Sequence, residues 1–210
     1  MSLALAHSRA RTGVHAPAVR VEVYLAPGLP ALNIVGLPEA AVRESRDRVR
    51  AAIQCAQFEF PSRRITVNLA PADLPKESGR FDLPIALGIL AAAGLLDAAR
   101  LAACEFAGEL SLAGELRPVR GALALAMALR KGGSARTLVL PEASARAAAQ
   151  VPGLDVRAVR ISTLPAIAAS SPLPAGTISA RPARPAASAA GKTASIARSS
   201  PVSANSPRNS

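Results

Sequence analysis

The longest stretch made only of apolar residues, glycine and proline in this 210-residue chain runs from Leu83 to Leu96. An α-helix needs about 20 apolar residues to cross a bilayer, and this stretch is too short to do so. It also has no polar side, so a helix here must be covered all round by the rest of the protein. The sequence therefore predicts a buried helix that begins at Asp82 as its N-cap, ends at Gly94 and packs against a sheet.

The N-terminal residues give no sign of a secretory leader. The apolar letters that follow Met1 stop at His7 and Arg9, which makes them shorter than the core of a signal peptide. Two cysteines, Cys55 and Cys104, and two histidines are too few for a Cys/His zinc site or a disulfide framework. We expect a cytoplasmic protein without a membrane partner, in which both thiols are ordinary core residues.

Strand and helix patterns alternate along the first 161 residues. The clearest strand spans residues 19–26, where apolar and polar residues alternate as in a half-buried antiparallel strand. The patterns predict strands at 2–8, 19–26, 32–36, 65–70, 105–112, within 113–119, at 137–141 and at 156–161. They predict helices at 38–57, 82–94 and 122–131, and a short one from Glu142. Together they predict an α/β domain with a mixed sheet.

The composition changes near residue 170. From Ser171 to Ser210 there are ten Ala, nine Ser, six Pro and five basic residues, and no acidic residue. A segment of this kind lacks the apolar residues that a core requires. We therefore expect a folded domain over residues 1–165 and a disordered low-complexity tail over residues 166–210, which carries part of the net charge of +11.

The densest polar cluster lies in the loop before the uncharged helix. It consists of Lys76, Glu77, Ser78, Arg80 and Asp82. Loops between a strand and a helix N-terminus often bind anions and substrates, so this loop is the best candidate site. The alternative is a structural loop whose charges pair with each other and cap the helix.

A second group of residues consists of arginines that could contact nucleic acid. These are Arg43, Arg46, Arg50, Arg63 and Arg64, together with Arg80. The alternative is a solvated helix face, because Glu39 and Arg43, and likewise Glu44 and Arg48, have the spacing of helical ion pairs. Binding to DNA, if this surface provides it, is expected to be independent of sequence and to weaken steeply with salt.

Three long segments, at 35–54, 60–90 and 107–126, resemble one family. They read VGLPEAAVRESRDRVRAAIQ, FPSRRITVNLAPADLPKESGRFDLPIALGIL and AGELSLAGELRPVRGALALA. They resemble the N-terminal domain of the magnesium-chelatase-like ATPases, the ComM/YifB competence-related proteins, over residues 1 to about 165. The resemblance implies that full-length members carry a AAA+ module after this domain, which is absent from these 210 residues. It also implies that full-length members are hexameric DNA helicases that drive branch migration in natural transformation. It implies ATP, Mg²⁺, DNA and self-association into a ring for the full-length form.

The same domain resembles the proteolytic domain of Lon-type proteases and the related ribosomal-protein domain-2-like fold. The letters PKESGRFD fall in the frame of the Lon active-site loop, in which Gly79 precedes Arg80 and Arg80 takes the place of the nucleophilic serine. Leu123 takes the place of the catalytic lysine. A guanidinium and an isobutyl group cannot form a Ser–Lys pair, so the resemblance implies a non-catalytic scaffold or interaction domain. Two alternatives are a degenerate Lon-like hydrolase, for which Ser78 is the nearby hydroxyl, and a fragment of a magnesium-chelatase-related subunit.

The tail contains the tripeptide Gly-Lys-Thr at 191–193, which ends a phosphate-binding loop in nucleotide-binding proteins. Ala186 stands where that loop requires its first glycine, and the surrounding prolines disfavour the strand and helix that must flank it. We expect no catalytic residue, no metal site and no bound cofactor in this chain.

Overall fold

The alternation of strands and helices is present in the computed structural model, which describes residues 1–37, 39–76 and 79–159. Within these residues the strands are β1 (Ser2–Arg9), β2 (Ala18–Ala26), β3 (Ala31–Val35), β4 (Arg64–Ala70), β5 (Cys104–Phe106), β6 (Glu109–Leu110), β7 (Leu116–Arg117), β8 (Thr137–Pro141) and β9 (Val156–Val159). The helices are α1 (Glu39–Cys55), α2 (Asp82–Ala92), α3 (Ala98–Ala102), α4 (Ala122–Lys131) and α5 (Glu142–Ala148), and a 3-10 turn at Gly79–Phe81 precedes α2.

Seven of these strands form one sheet in the order β3-β4-β2-β1-β5-β8-β9. β2 is antiparallel to both of its neighbours, whereas the other four pairs are parallel. The short connection between β1 and β2 enforces their antiparallel pairing, and longer connections that contain helices allow the parallel ones. β6 and β7 form a separate antiparallel pair. The predicted α/β domain with a mixed sheet is confirmed.

Helices cover the two faces of the sheet unequally. α1, α2 and α3 share the larger apolar core with the inward-facing residues of β1, β2, β3 and β4. α4 and α5 pack on the opposite face, where they form a second core with β8 and β9. The sheet therefore separates α1 from α4. No helix among the described residues is long and apolar enough to cross a bilayer.

α2 is the buried helix that the uncharged stretch predicts. All its residues from Asp82 to Leu90 are buried. A methyl group at Gly88 would lie 2.6 Å from Cγ2 of Val23, so a glycine lets the helix approach the sheet closely. The predicted N-cap is wrong, because Phe81 occupies that position and provides no side-chain cap. Asp82 is the first residue of the helix, and its carboxylate faces α1 instead.

Two further elements differ from the sequence prediction. The strand predicted at 105–112 is interrupted, since Gly108 leaves the sheet to bond with the turn before α2, donating to the carbonyl of Arg80 at 2.9 Å and accepting from Leu83 at 3.0 Å. α3 was not predicted, because five residues are too few to show periodicity. Its start is fixed by Asp97, whose side chain accepts from the backbone N–H of Ala99 at 2.9 Å.

The two cysteines differ in burial, although both are predicted to be core residues. Cys104 is buried as expected, and burial raises its pKa to about 11. The core prediction is wrong for Cys55, which is exposed at the end of α1 and whose Sγ lies 3.4 Å from the carbonyl oxygen of Leu112. The end of the strand predicted at 156–161, the domain boundary at 165 and the tail lie outside the described residues.

Candidate functional site

The loop before α2 ends in a buried carboxylate that α1 holds in place. Asp82 is 0% exposed, and its Oδ1 accepts a hydrogen bond from Oγ of Ser45 at 2.7 Å. Its Oδ2 accepts from Nε of Arg48 at 2.6 Å and from the backbone N–H of Leu110 at 3.3 Å, and Nη2 of Arg48 reaches Oδ1 at 3.4 Å. This arrangement satisfies both carboxylate oxygens and joins α1, α2 and β6.

The pKa values of this pair respond to burial and to the contact itself. Burial raises the pKa of Asp82, while hydrogen bonds from Arg48 and Ser45 counteract the rise. Burial disfavours the charged form of Arg48, but the hydrogen bond and charge of Asp82 outweigh it and the pKa of Arg48 is raised. A raised carboxyl pKa would weaken the pair and a raised guanidinium pKa would strengthen it. The number of donors on Asp82 favours the ionised carboxylate, since a neutral acid accepts such bonds less well.

Local helix geometry explains why α1 can supply two of these donors. Ser45 and Arg48 are three residues apart, so they lie on the same side of α1. Arg48 also contacts Glu44 one turn earlier, with Nη1 3.2 Å from Oε2. The predicted pairing of Glu44 with Arg48 is thereby confirmed. The other predicted pair cannot be placed, because the side chain of Glu39 lies outside the described residues.

The 3-10 turn Gly79–Phe81 fits between α1 and the segment after β5. A Cβ atom at Gly79 would lie 2.5 Å from Cγ of Glu109 and 2.9 Å from both Nη2 of Arg48 and Oδ2 of Asp82. A side chain at this position would therefore push the ion pair apart. Gly79 therefore has a packing role in the loop before α2.

Lys76 forms its hydrogen bonds within the loop before α2. Lys76 is buried, and its Nζ donates to the carbonyl oxygens of Pro71 and Leu74. Burial lowers its pKa, and the nearby carboxylate of Asp73 partly opposes this. Lys76 thus closes the loop on itself. Glu77 and Ser78, the other members of the predicted cluster, lie outside the described residues.

Arg80 contacts the segment that precedes α4. It is 2% exposed, and its Nη2 donates to the carbonyl of Arg120 at 3.1 Å. Leu123, in the first turn of α4, is 41% exposed. The inclusion of Arg80 in a basic surface is wrong, because the 3-10 turn carries it into the interior. The side chain that stands at the position of the Lon nucleophile is a buried guanidinium.

The other predicted arginines are exposed. Arg43, Arg46 and Arg50 lie along α1, and Arg63 and Arg64 lie at the start of β4. Arg50 stacks on the ring of Phe60, with its guanidinium carbon 4.7 Å from the ring centroid. The structure therefore leaves five of the six arginines accessible to a partner.

The sequence analysis missed the partners of Asp82. It treated Arg48 only as a surface ion pair with Glu44, and it did not consider Ser45 at all. The available signal was the spacing of Ser45 and Arg48 on one side of α1, next to the apolar residues Val49, Ala52 and Ile53 that share the larger core with α2.

The described residues bring together no cluster that could hold Mg²⁺. No three His, Cys, Asp or Glu side chains come together within them, and Asp82 is already engaged by its donors. The Gly-Lys-Thr tripeptide at 191–193 lies outside them.

Comparison with known proteins relates this domain to much longer ones. The chain is 54% identical over 151 residues to the Competence protein ComM of Haemophilus influenzae, which is 72% of this chain and 29% of that protein. It is 54% identical over 133 residues to the uncharacterized protein YifB of Escherichia coli, covering 63% of this chain and 26% of YifB. It is also 42% identical over 164 residues to an uncharacterized protein of Mycobacterium tuberculosis, covering 76% of this chain and 32% of that protein. The chain thus spans less than a third of each relative.

A family-level match agrees with these pairwise similarities. Residues 21–144 match the family described as Subunit ChlI of Mg-chelatase. The matched range includes α1, the loop with Asp82, and α4. The chain belongs to the magnesium-chelatase-like family that includes the ComM and YifB proteins.

Proposed function

We propose that this chain provides a non-catalytic scaffold and interaction domain of a ComM-type competence protein. The burial of Arg80 is the observation that carries this proposal. A guanidinium stays protonated at neutral pH, so it can serve neither as a nucleophile nor as its base. The nearby carboxylate, Asp82, is held by Ser45 and Arg48 and joins three elements of the fold. These contacts support a structural role for the loop.

In full-length members we propose that this domain precedes a AAA+ module in a cytoplasmic ring. The similarity to the Competence protein ComM and to the ChlI family supports a link to that class of ATPase. In this proposal the AAA+ module binds ATP and Mg²⁺ and drives branch migration of DNA during natural transformation. The present domain contacts neighbouring subunits and DNA, the latter through Arg43, Arg46, Arg50, Arg63 and Arg64.

The first test concerns hydrolase activity. We expect no labelling of the purified chain by a fluorophosphonate probe, since no activated serine is required by the proposed role. In-gel fluorescence measures this, with a Ser–Lys protease as the positive control. Labelling that is lost in Ser78→Ala and kept in Ser62→Ala would contradict the proposal and favour the degenerate hydrolase.

The second test concerns ATP. We expect titration calorimetry with Mg-ATP to show no binding to the 210-residue chain. A AAA+ site needs a glycine-rich loop, a lysine and carboxylates for the metal ion, and the described residues do not combine them. Micromolar binding that disappears in Lys192→Ala would contradict this expectation.

A further inference from the structure

A cleft at the C-terminal end of α1 brings aromatic, amide and arginine side chains together. It has two adjoining parts, of about 480 and about 450 Å³, that share Gln57, Phe58 and Glu59. Arg63 lines the first part, and Gln54 and Phe60 line the second. We call it the α1 cleft. It lies on the α1 side of the sheet, away from the loop with Asp82.

The α1 cleft has an exposed planar cation at its edge. Arg50 lies over the ring of Phe60, with its guanidinium carbon 4.7 Å from the ring centroid, so a cation–π contact holds the guanidinium at this edge. Arg50 is also exposed, so a further planar group can reach it. Unpaired nucleic acid bases stack on guanidinium planes and on aromatic rings. The cleft therefore offers a surface on which a base can stack.

Gln57 occupies a backbone position that favours glycine. Its φ is 63°, and it is the residue other than glycine that has a positive φ within the described parts of the chain. The N–H of Phe58 bonds the carbonyl of Ile53 at 3.2 Å, which is the helix-ending pattern in which glycine usually stands at this place. A glutamine here strains the backbone, yet it brings an amide to both parts of the cleft. Amides can both donate to and accept from base edges.

We propose that the α1 cleft binds an unpaired base of single-stranded nucleic acid. Arg50 provides the stacking plane, Gln54 and Gln57 the base-edge contacts, and Arg63 a contact for an adjoining phosphate. Arg63 lines the cleft together with the carboxylate of Glu59, and Arg50 at its edge adds a second positive charge. The inference rests on the DNA contact of the proposed function. It adds which surface makes that contact and that the bound nucleic acid is single-stranded. Duplex DNA presents no free base face, so the cleft discriminates against it.

Fluorescence anisotropy of the full chain tests this, with a fluorescein-labelled oligothymidylate and a duplex of the same length. We expect the single strand to bind more tightly than the duplex and its affinity to fall with salt. Gln57→Gly should weaken single-strand binding by about three- to tenfold, the effect of one lost hydrogen bond. The melting temperature of the same variant should be no lower than that of wild type, because glycine adopts a positive φ without strain. If Gln57 had only a structural role, Gln57→Gly would not weaken single-strand binding while leaving the melting temperature as high as that of wild type.

Two arginine variants separate charge from stacking. Arg50→Gln combined with Arg63→Gln should reduce the magnitude of the slope of log affinity against log salt by about 0.7, the contribution of the one phosphate contact that Arg63 makes. Arg50→Lys keeps the charge but loses the plane, so it should weaken binding while the salt slope stays as in wild type. The matched control is Lys131→Gln with Arg146→Gln, which removes two charges from α4 and α5 on the opposite side of the sheet. Its single-strand affinity should remain that of wild type.

The outcomes distinguish this inference from the function on which it rests. If wild type binds but Gln57→Gly and the double arginine variant bind equally well, the α1 cleft is not the site and the inference is overturned. Equal affinity for the single strand and the duplex would also overturn it. In both cases a DNA contact elsewhere on the chain survives. The absence of any binding at low salt would remove both the inference and the proposed DNA contact.

Discussion

Asp82→Ala is expected to lower the free energy of unfolding by about 3–5 kcal/mol, the typical cost of removing one partner from a buried ion pair. The side chain of Asp82 is 1% exposed and that of Arg48 is 17% exposed, so the remaining guanidinium would be poorly hydrated. The change also removes the acceptor of Ser45 and of the Leu110 N–H. Urea denaturation of the purified chain at neutral pH measures the loss.

A second variant distinguishes the charge from the packing of this pair. Arg48→Met combined with Asp82→Leu should recover much of the loss, since apolar residues of similar volume often replace a buried ion pair without net cost. Arg117→Ala is the surface control. It breaks an exposed contact with Glu109, at 3.5 Å, and should cost less than about 1 kcal/mol. An equally small loss in Asp82→Ala would contradict the structural role and would leave the carboxylate available for chemistry.

The elements that the sequence predicted well have strong local signals. α4 and β8 match their predicted bounds, because Gly132 and Gly133 end the helix and Pro141 ends the strand. The strand at 105–112 has an equally regular pattern, but it is interrupted at Gly108. That interruption depends on hydrogen bonds to Arg80 and Leu83, which belong to a distant part of the chain. Local periodicity carries no information about such bonds.

The candidate site shows the same division between local and distant information. The sequence located the polar loop and its important residues, including Lys76, Arg80 and Asp82. It could not show that Asp82 faces Arg48, because the two are 34 residues apart and meet only when α1 packs on α2. It also placed Arg80 on the surface, as charge alone suggests. The turn that begins at Gly79 carries Arg80 inward, and that direction is set by tertiary packing.

Phe81→Ala is the second change from which we expect a large effect. Phe81 is 1% exposed and belongs to the larger core, although it lies within the polar loop. Replacing a buried phenylalanine by alanine costs about 3–5 kcal/mol, since contacts are lost and a cavity remains. Phe81→Leu keeps most of the apolar volume and should cost less than about 1.5 kcal/mol. Urea denaturation of both variants measures this graded effect.

Phe60→Leu provides the comparison for Phe81, because Phe60 is only partly buried against the same core. It should destabilise the domain no more than Phe81→Leu does. If Phe81→Ala is as mild as Phe60→Leu, the turn before α2 is not anchored in the core. A large loss in Phe81→Ala together with a large loss in Asp82→Ala would mean that both ends of this short turn hold the fold, one by apolar packing and one by charge. A loop held in this way has little freedom to close around a substrate. This rigidity is what a scaffold domain requires.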